Sequence, residues 1–168
     1  MIGINTNRLF IIPLDQKNLE LFIDDFEQME TNFHLNISGK NPSERQKRVW
    51  RIRLNGVKSN PMNYMWYTVW IIILKEINYM IGTIMLKGYP NENGEVIIGY
   101  AINEEYRCNG YMTEALNSIT KWILLNPDIN SVIADTLKTN IPSQKVLKKV
   151  GFSFYREDDE CFWWKLQT

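Results

Sequence analysis

The sequence predicts a mixed α/β (α+β) fold, on three observations. Two β-rich apolar runs, "VWIIILK" (69–75) and "YMIGTIML" (79–86), are separated only by "EIN" and read as an antiparallel hairpin. A third run, "EVIIGYAI" (95–102), is followed by a helical pattern and then by "SVIADTL" (131–137), the spacing of a β-α-β crossover between parallel strands. The remaining apolar residues alternate between helical and strand periodicity along the chain. At 168 residues the chain has the length of one domain, expected to span 1–168, with no internal repeat or low-complexity linker.

Taken in order, "RLFIIP" (8–13) reads as the first strand. Asp15 is placed to cap a helix whose apolar residues Leu19, Phe22, Ile23 and Phe26 fall at helical spacing. Pro42 opens a second helix, "PSERQKRVWRIRL", with Val49, Ile52 and Leu54 as its inward residues. The hairpin of 69–86 follows, then the turn cluster "YPNENG" (89–94) and the strand of 95–102. A helix is expected from about Gly110 to Leu125, with Tyr111, Ala115, Ile119, Trp122 and Ile123 on its buried face. After the strand of 131–137, "IPSQKVLKKVGF" reads as a short helix with Pro142 in its first turn and Gly151 as its stop. "FSFY" and "CFWWKL" close the fold around "REDDE" (156–160). The expected order is β-α-α-β-β-β-α-β-α-β-β.

Bulk properties narrow the function classes. Lysine plus arginine is 19 and aspartate plus glutamate is 19, so the net charge is zero, and no basic excess points to a nucleic-acid binder. The two cysteines, Cys108 and Cys161, suggest neither a metal-ligand pair nor a disulfide framework. No metal site and no membrane span are expected, since the longest apolar run, "VWIIIL", is far too short to cross a bilayer. The N-terminus lacks the pattern of a signal peptide. A cytoplasmic, reducing setting is the expectation.

The stretch "RCNGYMTEA" (107–115) carries the chemistry. It joins an apolar strand to a helix, with one glycine where the helix begins. The first N–H groups of a helix have no internal partner, and its dipole favours an anion there. Gly110 lacks a Cβ and so allows a phosphate close to the backbone, while Arg107 adds a fork of donors at the mouth. A diphosphate site and an ordinary strand-to-helix turn both fit this stretch alone.

Arg107-Cys108-Asn109-Gly110-Tyr111-Met112, with Thr113 after it, resembles the acetyl-CoA pyrophosphate loop of the GCN5-related N-acetyltransferases (GNAT). The preceding "IGYAINEEY" resembles that family's approach strand. "TNIPSQKVLKKVGF" (139–152) resembles its second motif, and "TNRLFIIPL" resembles the opening of the ribosomal-protein N-acetyltransferase branch. The resemblance implies a mixed, mostly antiparallel sheet of about seven strands flanked by about four helices, with a splayed central strand pair. It implies transfer of an acetyl group from acetyl-CoA, as co-substrate, to a primary amine without a metal. Tyr100, Ala101 and Ile102 would offer backbone N–H groups to the pantetheine arm and thioester oxygen, and Asn140 would bind the arm. Ser143 would reach the sulfur, orienting a water or the thiol rather than acting as an acid. Two departures stand out. Met112 replaces a small residue, facing either the pantetheine or the core, and Leu147 stands where many members carry a tyrosine acid.

The amine must lose a proton, and Glu95, opening the central strand, is the first candidate base, with Glu104 and Glu105 next. Glu114 reads as a partner of the helix dipole. His34 is the only histidine and reads as a loop residue bordering the acceptor side. The basic run 40–53 reads as a solvated face paired with the acidic first helix. "NPMNYMWY" (60–67) reads either as core or as an exposed wall for acceptor or homodimer contact. The acceptor is left open between a protein N-terminus and a small-molecule amine. A non-catalytic acyl-CoA-binding module is the competing reading.

Overall fold

The computed structural model describes residues 2–167. An eight-stranded sheet runs in the order β1-β2-β3-β4-β5-β6-β8-β7. Its strands are β1 (Ile4–Asn5), β2 (Leu9–Pro13), β3 (Val69–Leu74), β4 (Tyr79–Leu86), β5 (Glu95–Ile102), β6 (Ser131–Leu137), β7 (Ser153–Glu157) and β8 (Cys161–Gln167). The helices are α1 (Gln16–Asp24), α2 (Phe26–Asn32), α3 (Glu44–Ser59), α4 (Tyr111–Leu124) and α5 (Ile141–Val150), with short 3-10 turns at Pro61–Trp66 and Glu104–Tyr106. Every strand pair is antiparallel except β5–β6. That parallel pair is the expected crossover, with α4 as its connection.

Period-two alternation sends side chains to two different cores. On one face Ile84, Leu86, Val96, Ile98, Val132 and Ala134 pack beneath α4 and α5. On the other, Ile12, Val69, Ile71 and Ile73 meet Phe22, Trp50 and Leu54 of α1 and α3. β3 is therefore buried on both faces, and its six residues are all apolar.

The structure differs from the sequence reading at four places. The sheet has eight strands rather than seven, because the two-residue β1 adds an edge to β2. The first helix is two, broken at Asp25 (φ −144°), whose side chain caps α2 through Gln28 N. The second expected helix starts at Glu44 rather than Pro42, with Ser43 and Gln46 forming a reciprocal capping box. Its inward stripe is Trp50, Leu54 and Val57, while Val49 and Ile52 face solvent. The aromatic Trp50 turns this face inward, its ring packed against Phe22 at 4.1 Å between centroids and tilted by 40°. On α4 the buried face is Met112, Ala115, Leu116, Ile119, Thr120 and Ile123, with Tyr111 and Trp122 at its margins.

Candidate active site

β5 and β6 pair over four rows, from Glu95–Ser131 to Ile98–Ala134, and then separate. β5 continues against β4 as far as Gly82–Ile102, while β6 continues against β8 as far as Leu137–Cys161. The result is a fork that opens toward the C-terminal ends of both strands. Lys87 N donates to Ile97 O and Asn103 N to Ile81 O, which fixes the alternation of β5. The backbone groups of Ile97, Gly99 and Ala101 point to β4, and those of Tyr100 and Ile102 point into the fork. Of the three residues expected to offer free N–H groups, Tyr100 and Ile102 are so placed. The N–H of Ala101 instead lies in the β4 ladder, opposite Thr83.

The loop "RCNGYMTEA" closes the open end of the fork. Cys108 (φ +63°) and Gly110 (φ +78°) are both left-handed, and Gly110 is the N-cap of α4 with no side-chain capping bond. The resulting curl leaves the backbone N–H groups of Cys108, Asn109, Gly110, Tyr111, Met112 and Thr113 without a protein acceptor among the described residues; the next, Glu114 N, donates to Gly110 O. Six consecutive free donors at a helix start form an anion cradle. A Cβ at Gly110 would meet only the Arg8 guanidinium, at 3.5 Å, so the bare side of the loop is open to a ligand. A cleft of about 570 Å³ runs from Gly110 along Thr113, Asn117 and Ser118, walled by Thr6 and by Lys149 of α5. Met112 is 5% exposed and packs in the core under the helix, so it does not face the cleft.

The loop is held by a residue the sequence reading missed. Arg8, at the start of β2, donates through Nε to Glu114 Oε2 (2.7 Å) and through Nη1 to Asn109 O (3.0 Å). Its guanidinium stands 4.5 Å over the Tyr111 ring. The Arg8 backbone N–H and the Thr6 hydroxyl donate to the other Glu114 oxygen. Burial raises the Glu114 pKa, but these bonds outweigh it and hold the carboxyl below its usual value. Glu114 is thus the anchor between the first turn of α4 and the N-terminal strands. Arg107, expected at the mouth, is exposed and lies 3.9 Å from Glu104.

On the opposite wall, Asn140 caps α5 by accepting from Ser143 N (3.2 Å). Its amide nitrogen and the Ser143 hydroxyl have no protein partner among the described residues. The Tyr100 phenol enters the fork from β5 and donates to Ser143 O (3.2 Å), and burial pushes its pKa up to about 12, so it remains a neutral donor. Leu147 is fully buried in the core and leaves no polar group at its position.

Glu95 is the expected site residue that the structure does not bring to the site. It stands at the opposite end of β5, roughly 16 Å along the strand from Tyr100 at about 3.3 Å per residue. Its carboxylate accepts from Lys165 Nζ (2.9 Å) and Asn91 Nδ2 (3.2 Å), and the Lys165 bond leads the effects that lower its pKa. A carboxylate at that end of the strand is too distant to take a proton at the fork. Glu105 pairs with Lys40, which ties the α2–α3 connection to the loop, and Glu104 is exposed.

The features set aside by sequence take structural places. His34 is exposed and left-handed, with its carbonyl accepting from Asn78 Nδ2. The basic α3 pairs with the acidic α1 through Arg51–Asp24 and Lys58–Glu20. In the 60–67 segment Trp66 is buried against Trp122, while Met62 is 91% exposed. Asp158 in "REDDE" organises the β7–β8 turn by accepting from Glu160 N, Cys161 N and Trp163 Nε1. Among the described residues no cluster of three potential metal ligands occurs, and no helix is long and apolar enough to cross a membrane.

A mixed sheet forked at its one parallel pair, with a donor-rich helix start closing the fork, is the arrangement of the GNAT fold. Residues 8–153 match the family described as acetyltransferase (GNAT) domain, and the chain belongs to that family of acetyltransferases. Over 165 residues it is 28% identical to the uncharacterized N-acetyltransferase YjdG of Bacillus subtilis (strain 168), covering 98% of this chain and 97% of the relative. Among solved structures it resembles the ribosomal-protein-S5-alanine acetyltransferase from Vibrio fischeri (TM-score 0.72, 16% identity, 99% and 97% covered). It also resembles RimL, a ribosomal L7/L12 α-N-protein acetyltransferase solved with coenzyme A (TM-score 0.70, 12% identity, 99% and 98% covered). At those identities the two structures speak for the fold.

Proposed function

We propose that the protein transfers the acetyl group of acetyl-CoA to a primary amine by direct attack in a ternary complex. The observation that carries this reading is the run of six unpartnered N–H groups from Cys108 to Thr113 at the mouth of the fork. A diphosphate there would replace water on every donor with little reorganisation. Arg107 at the mouth, and Asn109, Gly110 and Tyr111 within the curl, complete this cradle. The pantetheine arm would run into the fork between Tyr100 and Ile102 on one side and Asn140 and Ser143 on the other. An N–H of β5 aimed at the thioester oxygen would stabilise the developing oxyanion.

A protein acceptor is supported by two structural relatives, which are named for acetylating ribosomal proteins at an alanine and at an α-amino group. A protein N-terminal amine is therefore the first acceptor to test, with small amines behind it, and the cytoplasm is the matching compartment. The test is release of CoA thiol from acetyl-CoA over a panel of Ala- and Ser-initiated hexapeptides, spermidine and an aminoglycoside. Turnover with any of them supports the reading. Acetyl-CoA binding without turnover across the panel favours the non-catalytic acyl-CoA-binding module instead.

A further inference from the structure

We propose that Asp135, braced by Lys87, is the carboxylate that meets the acceptor amine and takes its proton. This inference rests on the acetyltransfer reading above.

Position is the first reason. Ile98–Ala134 is the last paired row of β5 and β6, so Gly99 and Asp135 are the residues at which the strands part. Asp135 therefore stands at the crotch of the fork. Face is the second. Val132 and Ala134 point to the α4–α5 core, so alternation turns Asp135 to the opposite face. On that face α1–α3 pack on β2 to β4, and among the described residues no helix packs on the β5–β8 half. An acceptor arriving there approaches the fork from the side away from the phosphate loop.

The third reason is how the carboxylate is held. Lys87 follows β4 and lies opposite Ile97. Its stem crosses β5 at Gly99, where the lysine Cε is 3.7 Å from the site of an added Cβ, and its Nζ reaches Asp135 Oδ1 at 3.0 Å. The two side chains are 40% and 30% exposed, so the carboxylate is reachable from solvent and already bonded to an ammonium. An incoming substrate ammonium would join or replace that of Lys87 on the same oxygens. The other polar groups around Asp135 do not compete with it as bases. The Cys161 thiol is pushed up by burial and then by Asp158, Asp135 and Glu160, and the Tyr100 phenol is pushed up by burial and by Asp135. Trp163, opposite Asp135 on β8, donates to Asp158.

The chemistry balances. The acceptor arrives as an ammonium and gives one proton to Asp135, directly or through one water. The freed lone pair forms the N–C bond at the thioester carbonyl carbon, and the C–S bond breaks. A second N–H proton ends on the departing sulfur. Ammonium and acetyl-CoA thus give amide, CoA thiol and one proton, which Asp135 returns to water.

The experiment compares wild type with Asp135→Asn, Asp135→Glu, Lys87→Met and Glu95→Gln. It uses the Ala-initiated hexapeptide and spermidine as acceptors, with acetyl-CoA affinity measured separately by calorimetry. A half-exposed ion pair contributes little to folding, so the variants are expected to remain folded. Asp135→Asn is expected to lower kcat about 100-fold, the low end for loss of a proton acceptor, with acetyl-CoA affinity within about twofold of wild type. Asp135→Glu should recover most of the rate, Lys87→Met should act mainly on KM for the amine, and Glu95→Gln should turn over like wild type. Wild-type turnover with Asp135→Asn unimpaired overturns this inference alone. So does an Asp135→Asn variant that loses acetyl-CoA binding together with turnover, since that marks a structural role. Where neither acceptor turns over with wild type, the comparison is made with whichever acceptor of the full panel does, and no wild-type turnover with any member of that panel overturns the inference together with the acetyltransfer reading.

Discussion

Replacing Arg8 with methionine separates a loop that is held from a loop that merely folds. The substitution keeps the length and apolar stem of the side chain but removes the Nε bond to Glu114, the Nη1 bond to Asn109 O and the cation over Tyr111. It leaves the backbone N–H of residue 8 and the Thr6 hydroxyl on Glu114. Each charge-assisted bond would be worth about 1.5–3 kcal/mol if buried. Arg8 is 41% exposed and Glu114 is 19% exposed, so solvent screening reduces the three contacts together to about 1–2 kcal/mol. If that free energy serves to hold the six N–H groups in register, acetyl-CoA affinity falls about 5- to 30-fold. Calorimetric titration with acetyl-CoA, alongside thermal melting, reads both quantities. Arg8→Lys keeps a charge but not the planar fork and should recover only part of the affinity. An Arg8→Met protein that melts earlier yet binds acetyl-CoA within about twofold of wild type would refute the reasoning, because Arg8 would then stabilise the fold without positioning the loop.

Two further outcomes follow from the same geometry. Met112→Ala removes a side chain that is 5% exposed and should lower unfolding free energy by about 2–4 kcal/mol in urea melts, with acetyl-CoA affinity, measured where the protein is folded, nearly unchanged. The Glu95 carboxyl is held below its ordinary value of 4.5, chiefly by Lys165, so its ion pair adds stability above that value and loses it as pH falls through the lowered native value. Wild type should therefore melt above Glu95→Gln at pH 7, with the two converging as the pH is taken well below 4.5.

The sequence made much of this fold legible because the informative signals are local. "VWIIIL" announces a strand buried on both faces, "EIN" its hairpin, and Gly110 and Gly151 the ends of two helices. The two-residue β1 has too little length to show periodicity, and Asp25 broke a helix whose apolar spacing ran on to Phe26. The loop itself was readable, but its support was not, since Arg8 and Glu114 are 106 residues apart. The setting of Glu95 is hidden for the same reason: its place in the strand is legible, while Lys165, which holds it at the far end of β5, lies 70 residues on. Met112 could not be assigned because a helix start offers both a ligand face and a core face, and only the rotation of α4 decides between them. One signal for Asp135 was present, a lone carboxylate in the otherwise apolar middle of "SVIADTL".

The most direct test of the account is titration of acetyl-CoA into wild type, Gly110→Asn and Gly110→Asp. Asparagine and aspartate both tolerate a left-handed backbone such as the +78° φ of Gly110, and the nearest atom to an added Cβ is an Arg8 guanidinium nitrogen at 3.5 Å, an ordinary van der Waals contact. The two variants therefore differ in charge far more than in shape. If the curl from Cys108 to Thr113 holds the diphosphate, aspartate should weaken binding by about 100-fold or more and asparagine by much less, because only the former sets a negative charge against the phosphates. Equal affinity of all three proteins for acetyl-CoA would contradict the account.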